Sequence, residues 1–462
     1  MMNNLTGKRV VIIGAARQGQ ALARYLVRHG AQVTLNDRRS IEDLRAAQAA
    51  LMDLNVNWIT GGHPLEMLDE ADLLCLSGGI PLNIPIVIEA QRRGIPLSND
   101  TQIFLQAVPC KTIGITGSAG KTTTTSLVGH MAQEAFEAQS TNVWIGGNIG
   151  DPLINYVDDM KVDDLAIMEI SSFQLEQMSI SPQIAVVLNI TPNHLDRHNT
   201  MEAYTAAKAR ILEFQRPEDT AVLCRDDAGS WNLRDKVQGR LISFGFRQID
   251  ESEEGTFIQA SHLYLREKNV DIPLMLEDAI HLRGEHNRMN VLAACAIGFA
   301  AGFPLDSMLA AIQEFRGVPH RLEFVREWKG SVWYNDSIAT APERTMAAIR
   351  SFKEPLVLLL GGRDKNLPWE DLAEMVHSRV DHVVLFGEAA EKIAAALGSV
   401  RDGKRPFSIN RCKGLKDAVE LAARIVEPGD IVLFSPGGTS FDEFRDFEER
   451  GESFRTWVLE LS

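Results

Sequence analysis

The chain has no excess of positive charge, no paired cysteines and no apolar run long enough to cross a bilayer, and each absence excludes a class of function. Among 462 residues, 62 Asp and Glu outnumber 47 Lys and Arg, giving a formal net charge of −15. A general nucleic-acid binder displaces counterions with a basic field, which this composition does not supply, so no nucleic-acid partner is expected. Local Lys, Arg and backbone N–H groups can still hold a phosphate. The five cysteines, Cys75, Cys110, Cys224, Cys295 and Cys412, are odd in number and form no CxxC pair. Neither a zinc site nor a disulfide framework is expected, and a reducing, cytoplasmic setting fits. The first residues are polar and run straight into a strand-like segment, unlike a signal peptide. The longest apolar stretch, 291–303, is too short to span a membrane and stops at Pro304, so no membrane insertion is expected. Repeats, low-complexity tracts and long charge runs are missing as well.

What is present is ordinary globular material, 45% hydrophobic and 24% charged, long enough for two to four domains. Three successive segments alternate strand-like and helix-like runs, the pattern of α/β domains. Strands are expected at 9–14, 32–36, 72–76 and 95–98, with a linker around Pro109. A second set falls at 111–116, 165–168, 184–188 and 221–223. Residues 240–280 alternate and are turn-rich, which predicts a small antiparallel insertion. The third segment starts near Gly317, with strands at 332–334, 356–360, 382–386 and 431–434. Short continuous apolar runs of this kind fit parallel strands buried on both faces. Polar, Gly-rich clusters follow strands at 117–122, 189–194, 336–340, 361–365 and 435–440. Open α/β sheets bind ligands there, outside the carboxyl ends of their strands.

The cluster Thr116-Gly117-Ser118-Ala119-Gly120-Lys121-Thr122 lies between a strand and a helix-like run. Glycines let backbone N–H groups turn toward phosphate oxygens, and the helix N-terminus adds positive partial charge. In this reading Lys121 reaches the terminal phosphates and the Thr122 hydroxyl binds Mg²⁺. Ile115 occupies the first glycine position of the full phosphate-loop spacing, so the match is to a shortened form. On the expected helix 201–214, Tyr204, Ala207, Lys208, Ile211 and Leu212 share one face, which puts a lysine on an apolar stripe. A buried ammonium needs a partner or a modification; a snorkelling lysine with its head in water is the alternative. Glu169 ends an apolar strand, where a carboxylate calls for a cation, and His194 follows another strand. Thr122, Glu169, His194 and Lys208 could surround a metal near the phosphates, although spacing does not make them converge. At the N-terminus, Gly14-Ala-Ala-Arg-Gln-Gly19 is not GxGxxG, which argues against a nicotinamide-dependent dehydrogenase.

Ten motifs in order resemble the Mur ligase family over nearly the whole chain. They are the phosphate loop at 116–122, Gly147-Asn148-Ile149-Gly150, Glu169-Ile-Ser-Ser-Phe-Gln-Leu175, Asn193-His-Leu-Asp-Arg197, Tyr204-Thr-Ala-Ala-Lys208, Gly284-Glu-His-Asn287-Arg-Met-Asn290, His320-Arg321, Asn335-Asp336-Ser337, Leu360-Gly-Gly-Arg-Asp-Lys365 and Ser435-Pro-Gly-Gly-Thr-Ser440. The resemblance implies an α/β protein of three domains. These are a Rossmann-like UDP-substrate-binding domain (1–108), a central P-loop ATPase domain (109–316) and a Rossmann-like closing domain that binds the amino acid (317–462). It implies a monomeric, cytoplasmic ligase using ATP and two Mg²⁺ ions, with an acyl phosphate and a tetrahedral intermediate. Ser77-Gly-Gly-Ile80, Gln174-Leu-Glu176 and the stretch 441–451 point to UDP-N-acetylmuramoyl-L-alanine as acceptor and D-glutamate as incoming amino acid. Sibling ligases that add L-glutamate or another amino acid, or extend a folate, are the alternative.

By the same resemblance Gly117, Ser118, Ala119, Gly120, Lys121, Thr122 and Thr123 hold the nucleotide with Asn287, Asn290, Arg321 and Asp336. Thr122, Glu169, His194 and a carbamylated Lys208 serve the metal ions, and Asn148 lies near the transferred phosphoryl group. Lys121, Asn148, His194 and Lys208 form the catalytic set. Asn36, Asp37, Arg38, Ser77 and Gly78 contact the UDP substrate; Thr340, Lys365, Ser440 and Phe447 take the incoming glutamate. Three positions depart from the common family pattern: Ala119 stands for Asn, Asn193 for Asp, and Ile338 for the Lys of DSKAT.

Overall fold

The computed structural model describes residues 5–193, 195–250 and 252–462. Three sheets follow one another along the chain. The first holds β1 (Arg9–Ile13), β2 (Gln32–Asp37), β3 (Val56–Thr60), β4 (Leu73–Leu76) and β5 (Leu97–Ser98). All are parallel, in the order β3-β2-β1-β4-β5. The order reverses between β1 and β4, which opens a crevice at their carboxyl ends. Gly14 closes β1 with φ +100, and an added Cβ there would press on the Ser77 side chain that follows β4.

The second sheet takes β6 (Lys111–Thr116), β7 (Val143–Gly147), β8 (Leu165–Glu169), β9 (Ile184–Val187), β10 (Thr220–Cys224), β11 (Arg240–Phe244), β12 (Glu254–Gln259), β13 (His262–Glu267) and β14 (Val270–Leu276). Its order is β14-β13-β12-β11-β10-β9-β6-β8-β7. Residues β8 through β10 are buried on both faces, as continuous apolar runs in a parallel sheet require. The small antiparallel insertion expected at 240–280 is found only over 254–276. β11 and β12 continue the parallel pairing of β10, and only β12–β13–β14 turn antiparallel, extending the same sheet. Tight connections around Ala260, Ser261, Lys268 and Asn269, all at positive φ, produce the turn-rich pattern, while the crossover from β11 to β12 reads like another hairpin.

The third sheet is β15 (Glu323–Trp328), β16 (Ser331–Asn335), β17 (Leu356–Gly361), β18 (His382–Phe386), β19 (Ser408–Arg411) and β20 (Ile431–Gly437), ordered β15-β16-β20-β17-β18-β19. Only β15 is antiparallel.

Contacts group the chain into two compact units, residues 1–280 with 285–314, and residues 281–284 with 315–462. In the first, one buried cluster runs from Ile12 and Leu35 through Phe104 to Met168, Val187 and Leu223, so the first two sheets share a core. The second unit packs Leu358, Leu360 and Leu385 on one face of its sheet and Val357, Phe434 and Phe454 on the other. Among the described residues, no helix is long and apolar enough to cross a membrane.

Candidate functional site

Gly120 caps the helix Lys121–Phe136 in the left-handed region, φ +83. The loop before it is laced to the strand end of β9. Ser118 N–H donates to the Asn189 carbonyl at 2.9 Å, and Ala119 N–H donates to the Asn189 side chain at 2.8 Å, whose amide returns a bond to the Ala119 carbonyl at 3.1 Å. The Ser118 hydroxyl bonds the Thr191 carbonyl at 2.9 Å and lies 3.0 Å from the Tyr204 hydroxyl. Asn189 thus carries the loop's shape, a role its place in the 189–194 cluster hinted at but did not assign. Losing these bonds should cost about 1–3 kcal/mol. Asn189→Ala is expected to weaken nucleotide binding about tenfold, read by calorimetry; unaltered affinity would show that the loop holds its shape alone.

Two lysines meet at the loop's first carbonyl. Lys121 Nζ and Lys208 Nζ each donate to the Gly117 oxygen at 2.9 Å. Lys208 is 1% exposed, bonds Thr116 Oγ1 at 3.3 Å and lies over the Tyr204 ring. Burial drives its affinity for a proton far below the ordinary lysine value; the Lys121 charge adds to that and Glu169 partly opposes it. The snorkelling alternative is therefore set aside: the Lys208 amine is inside, and a neutral amine is a nucleophile.

Glu169 ends β8 at 3% exposure. Thr122 Oγ1 donates to one carboxylate oxygen at 2.7 Å and Asn148 Nδ2 to the other at 3.0 Å. The structure brings Lys121, Thr122, Asn148, Glu169 and Lys208 into one network; His194 lies outside the described residues. Among the described residues no three His, Cys, Asp or Glu side chains converge as a metal cage. A single carboxylate with a hydroxyl is nonetheless a fitting donor set for magnesium, which takes most of its ligands from water and substrate phosphates. Asn290 Nδ2 donates to Asn287 Oδ1 at 3.1 Å, and its own Oδ1 borders Gly120 so closely that a Cβ there would collide. Thr123 is buried in the first turn of the helix.

At the carboxyl end of the first sheet, Asp37 accepts Ala15 N–H at 2.9 Å and a fork from Arg39. The Arg39 bonds hold its carboxyl well below the usual range. The Asn36 side chain is fully buried and engaged, donating to the Ile59 and Gly62 carbonyls at 2.8 and 2.7 Å with His63 Nδ1 at 2.5 Å from its oxygen. It shapes the turn, while Arg38 is exposed beside it. Ser77 Oγ donates to the Gly14 carbonyl at 2.9 Å, and Gly78 N–H donates to Gln18 at 3.3 Å.

In the second unit, Lys365 Nζ donates to Thr340 Oγ1 at 3.2 Å. The loops after β17 and β20 are stitched by paired Arg363–Thr439 backbone bonds of 2.8 Å, which brings Lys365 near the loop carrying Ser440. Arg450 is fully buried with no carboxylate in its hydrogen bonds. It donates to Ser337 Oγ and O at 3.0 and 2.8 Å and to the Gly438 carbonyl at 3.0 Å. Ser337 Oγ in turn donates to the Phe447 carbonyl at 2.8 Å. Burial lowers the guanidinium to about 10. Arg450 was missed from sequence, although Phe447, Arg450, Phe454 and Val458 share an apolar stripe just as Lys208 does.

Asp336 accepts Leu322 N–H at 3.2 Å and Ser435 Oγ at 2.7 Å, next to Arg321, whose charge opposes the upward push of burial to about 7. Between roughly pH 4 and 7 the folded chain keeps a proton that the unfolded carboxyl has released. Stability from this group therefore falls as pH rises through that window. Asp336→Asn is expected to flatten the slope and stabilise the second unit by up to a few kcal/mol near pH 8, read from melting curves at about pH 5 and pH 8. An unchanged slope would contradict this.

Comparison with known proteins gives three successive matches, one over each sheet. Residues 8–99 match the Mur ligase MurD-like N-terminal domain, 115–298 the Mur ligase middle domain, and 320–438 the Mur ligase glutamate ligase domain. A UDP-N-acetylmuramoylalanine–D-glutamate ligase of Symbiobacterium thermophilum is 40% identical over 455 residues, 98% of either chain. One of Pelotomaculum thermopropionicum is 39% identical over 469 residues, covering 100% of this chain and 99% of the relative. Among solved structures, UDP-N-acetylmuramate–alanine ligase MurC of Thermotoga maritima shares the fold at TM-score 0.56 and 19% identity, over 97% of this chain and 98% of that one.

Proposed function

The chain belongs to the Mur ligase family, and from that premise we propose that it joins D-glutamate to UDP-N-acetylmuramoyl-L-alanine with conversion of ATP to ADP and phosphate. The reaction builds the peptidoglycan precursor, and through it cell shape and division, in the cytoplasm, with the enzyme acting as a monomer divided near residues 108 and 316. The observation that carries the reading is the pair of lysine nitrogens on the Gly117 carbonyl. Two potential cations converging on one oxygen, one of them buried, form a site that calls for anions.

Lys121 receives the terminal phosphates of ATP, with Gly117, Gly120, Thr123, Asn287, Asn290, Arg321 and Asp336 as the nucleotide's further contacts. Thr122 and Glu169 would hold one magnesium ion, and His194 with carbamylated Lys208 a second; bound there, the ions would supply charge neutralisation at the phosphates. The neutral Lys208 amine takes up CO₂: a C–N bond forms, a proton leaves to solvent, and the buried neutral amine becomes a buried anion. The acceptor's alanyl carboxylate attacks the γ-phosphorus, ADP leaves, and Asn148 steadies the transferred group. The glutamate amine then attacks the acyl carbon, sheds its proton, and phosphate leaves as the amide forms. Thr340, Lys365, Ser440 and Phe447 hold the glutamate, while the turn 36–38 with Ser77 and Gly78 holds the UDP moiety. Exclusion of water protects the acyl phosphate from hydrolysis.

The test supplies the acceptor, ATP and Mg²⁺ with D-glutamate or L-glutamate in parallel and follows phosphate release and product mass. Product with D-glutamate alone is expected. Product with L-glutamate alone would move the specificity, and no product with either would mean that a different acceptor is used.

A further inference from the structure

We propose that Arg197 is a positioning residue for the acceptor, fixing the loop 77–80 from a helix of the second sheet's domain, and that His198 acts through it. This rests on the function proposed above. The loop lies at the switch point between β1 and β4, where the first sheet's ligand binds. It contains two consecutive glycines, with Gly79 at φ +99, and such a loop loses much freedom when a ligand orders it. Ser77 and Gly78 are tied back to the first sheet's own loop at Gly14 and Gln18. Gly79 and Ile80 are held differently: Arg197 Nη1 donates to the Gly79 carbonyl at 2.7 Å and Nη2 to the Ile80 carbonyl. A planar fork on two successive carbonyls fixes orientation as well as distance.

The short helix Leu195–His198 that carries Arg197 is itself pinned. His198 is 4% exposed, with Nε2 3.0 Å from Ser172 Oγ and Nδ1 3.0 Å from Glu176 Oε1. Its ring stacks on Phe173 with centroids 5.4 Å apart, and the Arg197 guanidinium lies 4.8 Å from the centre of that same Phe173 ring. Ser172, Phe173 and Glu176 all follow Glu169 on the segment leaving β8. The segment that leaves the Glu169 strand end is therefore joined, through His198 and Arg197, to the acceptor loop. The arrangement orders the loop before the acceptor arrives, which lowers the entropy cost of binding.

The test is calorimetric binding of UDP-N-acetylmuramoyl-L-alanine to the full chain in the absence of ATP, with a nonhydrolysable ATP analogue as a second, separate probe. Arg197→Met is expected to weaken acceptor binding about tenfold, the size of one lost charge-assisted bond. Arg197→Lys should recover little, because a point charge cannot span both carbonyls. Affinity for the ATP analogue and the melting temperature should not move. His198→Asn should also weaken the acceptor, and the double variant should bind no worse than Arg197→Met alone. Acceptor binding by Arg197→Met equal to wild type would overturn the proposal. So would equal weakening of both probes, which marks general damage, while additive effects would overturn the role given to His198. Wild-type chain that fails to bind the acceptor would overturn the proposed function itself, and the ligand assigned here with it.

Discussion

Lys208→Ala should lose turnover by about 100- to 1,000-fold, the range for removing one preorganised charge from a phosphoryl- or acyl-transfer site. The lysine nitrogen lies against Gly117 O and Thr116 Oγ1, buried and pushed toward its neutral form. As an ammonium it would stand beside Lys121 with like charge; as a carbamate it would give the site an anion where metal ions are needed. The chemistry has its own signature. Wild type equilibrated with ¹³C-labelled bicarbonate should show a carbamate carbon resonance that Lys208→Ala lacks. Full activity in the variant, or an unchanged resonance, would contradict the assignment.

Glu169→Gln should lower turnover by a similar factor, about 100-fold or more, while leaving the melting temperature unchanged or higher. The two readouts move apart for a physical reason. Glutamine keeps the shape that Thr122 and Asn148 pack around, and it relieves the cost of burying a charge. The charge itself is what phosphoryl transfer requires. Raising the magnesium concentration should recover part of the loss in Glu169→Gln and none of the loss in Lys121→Ala, which lacks the cation proposed for the phosphates. Equal activity of Glu169→Gln and wild type would remove Glu169 from the site.

The strands that the sequence hid have one thing in common, their place in the sheet. Runs such as 111–116, 356–360 and 382–386 are central, buried on both faces, and read as unbroken apolar segments. The four strands that went unexpected, β3, β7, β15 and β19, are all edge strands. Their residues are mostly half-buried or exposed, and polar, short edges are how sheets avoid pairing with other chains. The same logic governs the site. The strand–loop–helix placement of Gly120, Lys121 and Thr122 was legible from local spacing, and the burial of Lys208 because a charge on an apolar stripe is anomalous. Asn189 and the His198–Ser172–Glu176 contacts were not, since they depend on which loops meet across parallel strands, and spacing along the chain does not encode that. Arg450 could have been read by the argument that singled out Lys208.

The most direct measurement starts from UDP-N-acetylmuramoyl-L-alanine labelled with ¹⁸O in its alanyl carboxylate, incubated with the chain, ATP, Mg²⁺ and D-glutamate. Mass spectrometry then follows both the amide product and the released phosphate. Transfer of one carboxylate oxygen into the phosphate, matched by formation of the D-glutamyl amide, is expected, because an acyl phosphate carries that oxygen away with its phosphorus. Amide with label-free phosphate would contradict the acyl phosphate, and ATP turnover with no amide would contradict the assigned reaction.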